Sequence, residues 1–334
     1  MPPHPNMREA YGLALLELGR KNPHVVALEA DLGKSTRSVL FQEAFPERYF
    51  QMGIAEQNMA ATAAGLALAG KIPFIHSFAV FATGRAYDQL RNSICIPRLK
   101  VRVCGSSSGL SDFGDGKTHQ SVEDVALMRA LPCMTVLSPV DGLETAKMME
   151  CLIDWPGPAY IRINRSDLPF LYPADEPYHI GKITCLRKGP DAALLATGVM
   201  VGRALEAATL LAAKGIEAGV YNISTLKPLD AEALIRAVAG VAAIVVAEEH
   251  NLIGGLGSAV LEALRATPHP PVELVAIEDC FGLSAACYDE ILTHFGLTAQ
   301  AVADAAMRIL KQGGSWKTEE GRKYAIMGAL TLYL

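Results

Sequence analysis

The chain has 334 residues, of which 51% are apolar and 19% charged, so it is long enough for two separately cored domains and too apolar to be disordered. Its formal net charge is −5, and no run of five or more Lys or Arg residues occurs, which argues against a nucleic-acid partner. The N-terminus lacks the apolar segment of a signal peptide, and no apolar stretch approaches the roughly 18 residues that span a bilayer, so we expect a cytoplasmic protein.

Helical periodicity alternates with short apolar runs from Met7 to about Phe170. The runs VVALEA, PFIH, KVRVC, CMTVLS and AYIRI predict strands, and the segments MREAYGLALLELGRK and EQNMAATAAGLALAG predict helices. Strands separated by helix-length segments are typical of a mostly parallel sheet with helices on both faces. We therefore predict an α/β domain over residues 1–170.

A second domain follows a linker. The stretch LPFLYPADEPYHIG contains three prolines and no periodicity, which predicts a linker over residues 171–181. From Lys182 the runs AALLAT, EAGVYNI, VAAIVVAEE and VELVAI alternate with the helical segments VGRALEAATLLAAKG and LDAEALIRAVAG, where Asp230 is a candidate N-cap. We predict a second α/β domain of the same layered type over residues 182–312. The segment 313–334 fits no strand–helix unit, and its role as a tail or a partner-binding strand is open.

The cysteines are seven, an odd number, and none forms a C-x-x-C pair. They stand mostly among apolar neighbours, a pattern that predicts buried, reduced thiols and a reducing cytoplasm. Their positions are Cys95, Cys104, Cys133, Cys151, Cys185, Cys280 and Cys287.

The most informative run is FQMGIAEQNMAATAAGLALAG, residues 50–70, where a short strand turns at Gly53 and leads into a helix that begins near Ala55. Glu56 then lies in the first turn of the helix, where a carboxylate could simply complement the helix dipole, at about 0.3–1 kcal/mol. The residues after it are nearly all Ala, Gly and Leu, which predicts a buried helix. A carboxylate at the start of such a helix needs a dedicated partner or a raised pKa.

Three motifs together resemble the transketolase family. The segment G-I-A-E-Q-N is similar to the one that carries the catalytic glutamate in transketolases and deoxyxylulose-phosphate synthases. SFAVFATGRAYDQ, residues 77–89, resembles the aromatic segment that those families stack on the cofactor, and FGDGKTHQ, residues 113–120, resembles their D-G-x-T-H-Q substrate motif. The N-R-S-D and EEHNLIGGLGSAV segments extend the match. The resemblance implies the pyrimidine-binding domain and the C-terminal domain of a transketolase.

The resemblance also implies thiamine diphosphate as the cofactor. Glu56 would hydrogen-bond to N1′ of the aminopyrimidine ring, so that the 4′-amino group of the cofactor can take the C2 proton, and an apolar pocket would raise the pKa of its carboxyl group. Phe81 would stack on the ring, with Phe78 close by. Two ordinary core aromatics remain the alternative interpretation.

Asp115 and His119 stand on a Gly-rich loop after the KVRVC strand, which places them at the carboxyl end of a strand, where open α/β sheets bind ligands. The resemblance implies that Asp115 accepts a hydrogen bond from the acceptor and that His119 is catalytic and contacts the donor hydroxyls. The G-D-G at 114–116 could instead be a magnesium motif, but the next Asn is Asn164, so we expect no metal site there. A tight turn with a solvated Asp is the remaining alternative.

Arg8, Ser35 and Arg165 fall where transketolases contact the substrate phosphate, and Arg suits that role because it binds phosphate bidentately. Single arginines are more often solvated surface charges. One departure matters, because CGSSSG, residues 104–109, stands where transketolases carry a phosphate-binding His and the synthases an Arg. The identity of the acceptor is therefore open.

Enzymes of this type hold the diphosphate through Mg²⁺ on another α/β domain, which carries G-D-G followed by an Asn, and this sequence lacks that pattern. The resemblance thus implies an N-terminal partner subunit that binds most of the thiamine diphosphate and Mg²⁺, in an α2β2 assembly.

Other functions stay open. The chain could be a subunit of a deoxyxylulose-phosphate-type synthase, which R-A-Y-D-Q favours, or of a 2-oxoacid dehydrogenase, against which D-G-K-T-H-Q speaks. A non-catalytic regulatory subunit is a further alternative. A nucleotide-binding dehydrogenase is disfavoured, because IGGLGSAV lacks the third glycine and the acidic residue about 20 positions on.

Overall fold

The computed structural model describes residues 4–312, which divide into two units. The first unit comprises residues 4–180, 225–228 and 281–291, and the second comprises residues 181–224, 229–280 and 292–312. Two short segments from the range predicted for the second domain therefore belong to the first unit. The predicted tail over residues 313–334 lies outside the described residues.

The two units are each built on one sheet. The strands in chain order are β1 (Val25–Glu29), β2 (Tyr49–Gln51), β3 (Ile72–Phe78), β4 (Arg102–Ser106), β5 (Thr135–Leu137), β6 (Ala159–Ile163), β7 (Thr184–Pro190), β8 (Ala192–Ala196), β9 (Ala218–Asn222), β10 (Thr225–Lys227), β11 (Ala243–Asn251) and β12 (Val272–Ile277). The first sheet has the order β10-β5-β6-β4-β3-β1-β2, and the second has the order β12-β11-β8-β9-β7. Pairing is parallel except for β10 with β5 and β7 with β9, each at a sheet edge.

Helices alternate with these strands. They are α1 (Met7–Lys21), α2 (Gly33–Thr36), α3 (Val39–Ala44), α4 (Glu56–Leu68), α5 (Tyr87–Gln89), α6 (Asp124–Ala130), α7 (Gly142–Leu152), α8 (Met200–Ala212), α9 (Ala231–Val238), α10 (Leu256–Leu264), α11 (Tyr288–His294) and α12 (Ala299–Gln312). The predicted α/β class with two mostly parallel sheets is confirmed. Within residues 4–312, no helix has the length and apolar character to cross a membrane.

Burial explains why the strands could be located from the sequence. Every residue of β1, β4, β6 and β8 is buried, so these short apolar runs lack the alternation of a half-exposed strand. Parallel strands covered by helices on both faces produce this pattern. The central strands of both sheets therefore form the cores of the two units.

Side-chain caps define several helix starts. Asn6 accepts hydrogen bonds from the backbone N–H groups of Arg8 and Glu9 at the start of α1. Asp230 accepts from the N–H of Ala233, so the predicted N-cap of α9 is confirmed. Asp141 caps α7 through one oxygen, while the other accepts from two backbone N–H groups at 171 and 172. Asp141 thus connects the segment after β6 to the start of α7.

The prediction that the Ala-rich helix is buried is half wrong. Met59, Ala60, Ala63 and Ala64 on one face of α4 are buried, but the opposite face is exposed, and Leu68 is 74% exposed. The expectation of burial on all sides rests on the small apolar residues of this segment. Ala61, Gly65 and Leu68 lie on the exposed face, because only the other face of α4 lies against the sheet.

The Gly-rich turn of IGGLGSAV is filled by a side chain of the same unit. Glu248, which is 1% exposed, accepts hydrogen bonds from the N–H groups of Leu256 (2.6 Å) and Gly257 (2.8 Å) at the start of α10. A Cβ on Gly255 would lie 2.0 Å from the Glu248 carboxylate, so glycine is required there. A carboxylate thus occupies the anion-binding helix start that a dinucleotide-binding fold would offer to a pyrophosphate.

Two segments with no clear periodicity join the first unit by specific contacts. β10 adds to the edge of the first sheet, and the ammonium group of Lys227 donates to the backbone oxygens of Arg129 (2.8 Å) and Leu131 (2.5 Å). Residues 281–291 lie against the FGDGKTHQ loop, where the Gln120 amide donates to Leu283 O at 2.9 Å. These contacts join residues far apart in the chain.

The cysteine expectation holds for two of the seven residues. Cys95 and Cys104 are buried, Cys151 is half-buried, and the remaining four are exposed: Cys133, Cys185, Cys280 and Cys287. All seven are free thiols. Apolar sequence neighbours therefore overestimated burial, because loops and the edge strand β7 place a side chain outward even beside core residues.

Candidate active site

The parallel strands of the first sheet end at one edge, and this edge gathers most of the predicted site residues. An isolated bridge between Asn6 and Asp167 brings the start of α1, with Arg8 in its first turn, beside the end of β6. The other residues follow strand ends: Ser35 after β1, Glu56 after β2, Phe78 and Phe81 at and after the end of β3, Asp115 and His119 after β4, and Arg165 after β6.

Glu56 is a buried carboxylate with a cationic partner. It is the first residue of α4, after a turn in which Gly53 has a φ of 69°, and it is 3% exposed. The guanidinium group of Arg85 donates to Oε1 at 3.1 Å, and the Ser77 hydroxyl lies 3.5 Å from the same oxygen. Of the two alternatives that the sequence left open, the structure therefore supplies a dedicated partner.

Three rings meet beside this carboxylate. Phe78 is buried and Phe81 is half-buried, and their rings are nearly parallel, with centroids 6.1 Å apart and an interplanar angle of 16°. The ring of His119 stands edge-on to both, at 6.2 Å from Phe78 and 5.4 Å from Phe81. The structure thus brings together the acid, the aromatic segment and the histidine that the sequence predicted as one site.

Arg85 is a site residue that sequence reasoning missed. Its guanidinium carbon lies 4.2 Å from the centre of the Phe81 ring, so it contacts both the acid and the aromatic platform, while its side chain is 51% exposed. The segment from Phe81 to Arg85 forms a π-helical turn, an irregularity that is frequent at functional sites. The signal available in the sequence was an Arg four residues after the aromatic residue, in R-A-Y-D-Q.

Asp115 and His119 lie at the two ends of one short turn. The Gly116–Thr118 stretch is a single 3₁₀ turn, with Asp115 before it and His119 after it. Asp115 is exposed and His119 is half-buried, and the Thr118 hydroxyl lies 2.9 Å from Nδ1 of His119. The turn therefore offers a solvent-facing carboxylate beside a ring that is fixed by aromatic contacts.

Arg8, Ser35 and Arg165 are also brought together. The Arg8 guanidinium group donates to the backbone oxygen of Ser35 at 3.1 Å. Burial lowers the pKa of Arg8, and the nearby positive charge of Arg165 lowers it further. Two arginines that repel each other at the carboxyl edge of a sheet are suited to an anion, which would relieve the repulsion.

Asp112 is a second residue that sequence reasoning missed. It is 1% exposed, and its Oδ1 accepts a hydrogen bond from the Arg165 guanidinium group at 2.5 Å. Burial raises the pKa of Asp112, whereas the charge of Arg165 acts in the opposite direction. The sequence held no signal for this pair, because the two residues are 53 positions apart.

The described residues offer acids and bases but no metal centre. Within residues 4–312, no group of three or more His, Cys, Asp or Glu side chains is arranged to hold a metal ion. The site as built combines a buried carboxylate, an aromatic platform and a pair of arginines. Such a combination can bind a flat heterocycle at one end and an anion at the other.

Comparisons with known proteins show matches to two domain families. Family models match in two blocks: the transketolase pyrimidine-binding domain over residues 4–170 and the transketolase C-terminal domain over residues 181–302. A solved structure described as a split gene transketolase, inactive beta4 tetramer, is similar with a TM-score of 0.83 and 45% identity, covering 92% of this chain and 98% of that one.

Two curated relatives cover nearly the whole chain. A putative transketolase C-terminal section from Methanocaldococcus jannaschii is 39% identical over 309 residues, which are 92% of this chain and 96% of that protein. The 6-deoxy-6-sulfo-D-fructose transketolase subunit SqwH from Clostridium sp. is 40% identical over 306 residues, with 92% of this chain and 95% of that protein covered.

Proposed function

Because the chain belongs to the transketolase family, we propose that it is the C-terminal subunit of a split transketolase, which transfers a two-carbon ketol unit between sugar phosphates with thiamine diphosphate as cofactor. The observation that carries the proposal is the buried Glu56 carboxylate beside the stacked Phe78 and Phe81 rings. His119 and Arg85 both contact the Phe81 ring beside it.

The residues present suit the pyrimidine end of the cofactor. A flat heterocycle with a ring nitrogen needs an aromatic face to stack on and an acid that shares a proton with that nitrogen, and Phe81 and Glu56 supply these two groups. When bound, thiamine diphosphate supplies a nucleophilic carbon that accepts and releases the two-carbon unit. This chain would hold the pyrimidine, and other residues at the same strand ends would bind the sugar.

Glu56 would orient the ring by donating to N1′ a proton that the two groups share. Its present partner is Arg85, whose side chain is half exposed and can withdraw into solvent without leaving a buried cation unpaired. Arg85 would then move outward from the Phe81 ring, which would free the face of that ring for the cofactor. Since Glu56 is the first residue of α4, its position is fixed by the helix and does not depend on Arg85.

The sugar would lie along the same strand ends. His119, held edge-on against both phenylalanines, would contact the hydroxyls next to the reacting carbon and move a proton there. Asp115, on the other side of the 3₁₀ turn, would accept a hydrogen bond from the acceptor. Arg8, Ser35 and Arg165 would bind the phosphate at the far end, where bidentate arginine contacts fix orientation.

A partner subunit would complete the site. We assign the diphosphate and Mg²⁺ mainly to an N-terminal transketolase subunit, in a cytoplasmic α2β2 assembly. Exposed apolar side chains beside α4 support such a contact: Ile54 (74%), Leu68 (74%) and Ile96 (66%) are all open to solvent in this chain. Their burial against the partner would place Glu56, at the start of the same helix, next to the shared cofactor.

The substitution Glu56→Gln tests the proposed role of the acid. In the enzyme reconstituted with its partner, we expect turnover to fall by about 10²–10⁴, the usual scale of a general acid–base contribution, with assembly unchanged. Glu43→Gln, which alters an exposed carboxylate outside the site, is the control and should keep native turnover. Native turnover in the Glu56 variant would remove the assignment.

The partner requirement has its own test. The purified chain should bind thiamine diphosphate weakly and transfer no ketol unit until the N-terminal subunit is added. Calorimetry measures the binding, and a coupled assay of the released aldose measures the transfer. Detectable transfer by this chain alone would contradict the split-subunit proposal.

The second candidate is a deoxyxylulose-phosphate-type synthase subunit, which the R-A-Y-D-Q segment favours. The two reactions differ in the donor. A transketolase releases no gas and passes two carbons between sugars, whereas the synthase releases CO₂ from pyruvate. Reconstituted enzyme that evolves CO₂ from pyruvate and fails to transfer a ketol unit would decide for the synthase.

A further inference from the structure

Asp112 lies among the residues that we assign to the substrate. One of its oxygens is bonded to Arg165, and its carboxyl group lies within hydrogen-bonding range of the Asp115 side chain. Its charge also interacts with His119 in the 3₁₀ turn. Arg8 also lies within range of its field. Asp112 therefore touches or faces both the phosphate end and the hydroxyl end of the proposed sugar site.

The second oxygen of Asp112 is available. Its Oδ2 is buried and has no hydrogen-bond partner among residues 4–312. A buried carboxylate oxygen without a donor costs roughly the desolvation of a charged acceptor, so such an oxygen is seldom left unused. A substrate hydroxyl is a donor of the right kind, because sugars present several hydroxyls along their length.

Asp112 also changes the charge of the anion site. Arg37, the third arginine nearby, is paired with Glu9 at 2.7 Å, which leaves Arg8 and Arg165 for an anion. Asp112 offsets the charge of Arg165, so the pair offers about one net positive charge. A phosphate monoester carries a charge of roughly −1.5 to −2 at pH 7. This negative charge exceeds the net positive charge of the site, so repulsion by Asp112 would weaken phosphate binding.

The neighbouring loop adds no cation. The hydroxyl groups of Ser106 and Ser107, after the start of the CGSSSG segment, are buried and have no hydrogen-bond partner among the described residues. They are neutral groups that can bind a hydroxyl as readily as a phosphate oxygen. The loop therefore does not restore the charge that Asp112 removes.

We propose that Asp112 is a specificity-determining residue that weakens phosphate binding at Arg165 and accepts a hydrogen bond from a sugar hydroxyl, so that the site admits unphosphorylated sugars beside sugar phosphates. The inference rests on the proposed function, because Arg8 and Arg165 are taken as the phosphate contacts. It deepens that function by naming the substrate class at the far end of the site.

Binding of ribose and ribose 5-phosphate to the full purified chain tests the proposal. NMR titration suits millimolar affinities, and it needs neither the partner, the cofactor nor turnover. For the native chain we expect ribose 5-phosphate to bind no more than about tenfold more tightly than ribose, because Asp112 offsets Arg165. Asp112→Asn should widen this ratio by about tenfold, through tighter phosphate binding and unchanged or weaker ribose binding.

Two further variants keep the test decisive. Asp112→Ser removes the same charge and replaces the Asn variant if that one fails to fold. Asp167→Asn is the matched control, because Asp167 is exposed, two positions from Arg165, and bonded to Asn6 rather than to an arginine. At about 0.15 M salt its effect on the ratio should stay within about twofold, since exposed charges are screened.

Three results of these titrations would overturn the proposal. A ratio that is unchanged or narrower in the Asp112 variants overturns the proposal, and so does an equal change in the Asp167 control. Absence of measurable ribose 5-phosphate binding in every variant also overturns it. Loss of ketol transfer in the reconstituted enzyme would count against the proposed function alone, because this binding experiment does not involve transfer.

Discussion

His76 makes the stability of the first unit depend on pH. It lies inside β3 with no exposed surface, and its imidazole contacts the backbone oxygen of Leu28 through Nδ1 (2.9 Å) and the Tyr11 hydroxyl through Nε2 (2.8 Å). A carbonyl oxygen can only accept, so Nδ1 carries the hydrogen and Nε2 accepts from Tyr11. This arrangement requires a neutral ring.

The size of the effect follows from the pKa. Burial lowers the pKa of His76 from 6.5 to about 4, so a difference of about 2.5 pH units separates the folded from the unfolded chain. Between these values the unfolded chain binds one more proton, and the free energy of unfolding falls as the pH drops. At about 1.4 kcal/mol per unit the loss is about 3 kcal/mol, complete below pH 4 and absent above pH 6.5.

The variant His76→Gln isolates this contribution, because an amide keeps one donor and one acceptor but does not titrate. At pH 7 we expect the variant to be less stable by about 1 kcal/mol through poorer hydrogen bonds. At pH 4 the difference should have moved by about 3 kcal/mol in favour of the variant. Denaturant unfolding, followed by NMR signals of β3 so that only the first unit is measured, gives both values.

A direct NMR titration of His76 tests whether its pKa is lowered. In a chain labelled with ¹⁵N-histidine, the His76 signals, identified by their loss in the variant, should keep the neutral pattern down to about pH 5. A midpoint near 6.5, or stability curves of the native chain and the variant that run parallel between pH 7 and pH 4, would contradict the reasoning.

Two further substitutions test the packing of the first unit by denaturant unfolding. Asp141→Ala should lower the free energy of unfolding by about 2–3 kcal/mol, because three backbone N–H groups lose their acceptor, whereas Asp230→Ala, which removes one such bond in the second unit, should cost only about 1 kcal/mol. Equal losses would contradict this ranking. Gly105→Ala should destabilise by about 1–3 kcal/mol, since a Cβ there would lie 2.3 Å from the Tyr160 hydroxyl. Native stability of the Gly105 variant would contradict the predicted clash.

Local patterns predicted the elements because local physics forms them. Apolar runs such as VVALE and AYIRI became fully buried parallel strands, and Asp230 became a cap, since in each case the residues that decide the outcome are adjacent in the chain. The same reasoning failed for α4, whose exposed face depends on which surface lies opposite. It also failed for the exposed cysteines.

The candidate site also contains some residues that the sequence indicates and others that only tertiary contacts reveal. Its motifs, from Glu56 to Arg165, could be selected from the sequence because they resemble transketolase motifs. They meet because each follows the end of a strand, and parallel strands end at one edge of a sheet. Arg85 and Asp112 could not be selected. Each acts through a partner distant in the chain, so its importance exists only once the two are in contact.

By itself, the sequence determined the order of strands and helices, the family, and the residue types available for binding and proton transfer. The tertiary structure alone decided which charges meet. Glu56 reaches Arg85 across 29 positions and Asp112 reaches Arg165 across 53, and such pairs form because the parallel strands of one sheet bring the loops that follow them to the same edge. Periodicity extends over a few turns or strands, whereas the balance of charge in a site depends on distances in space.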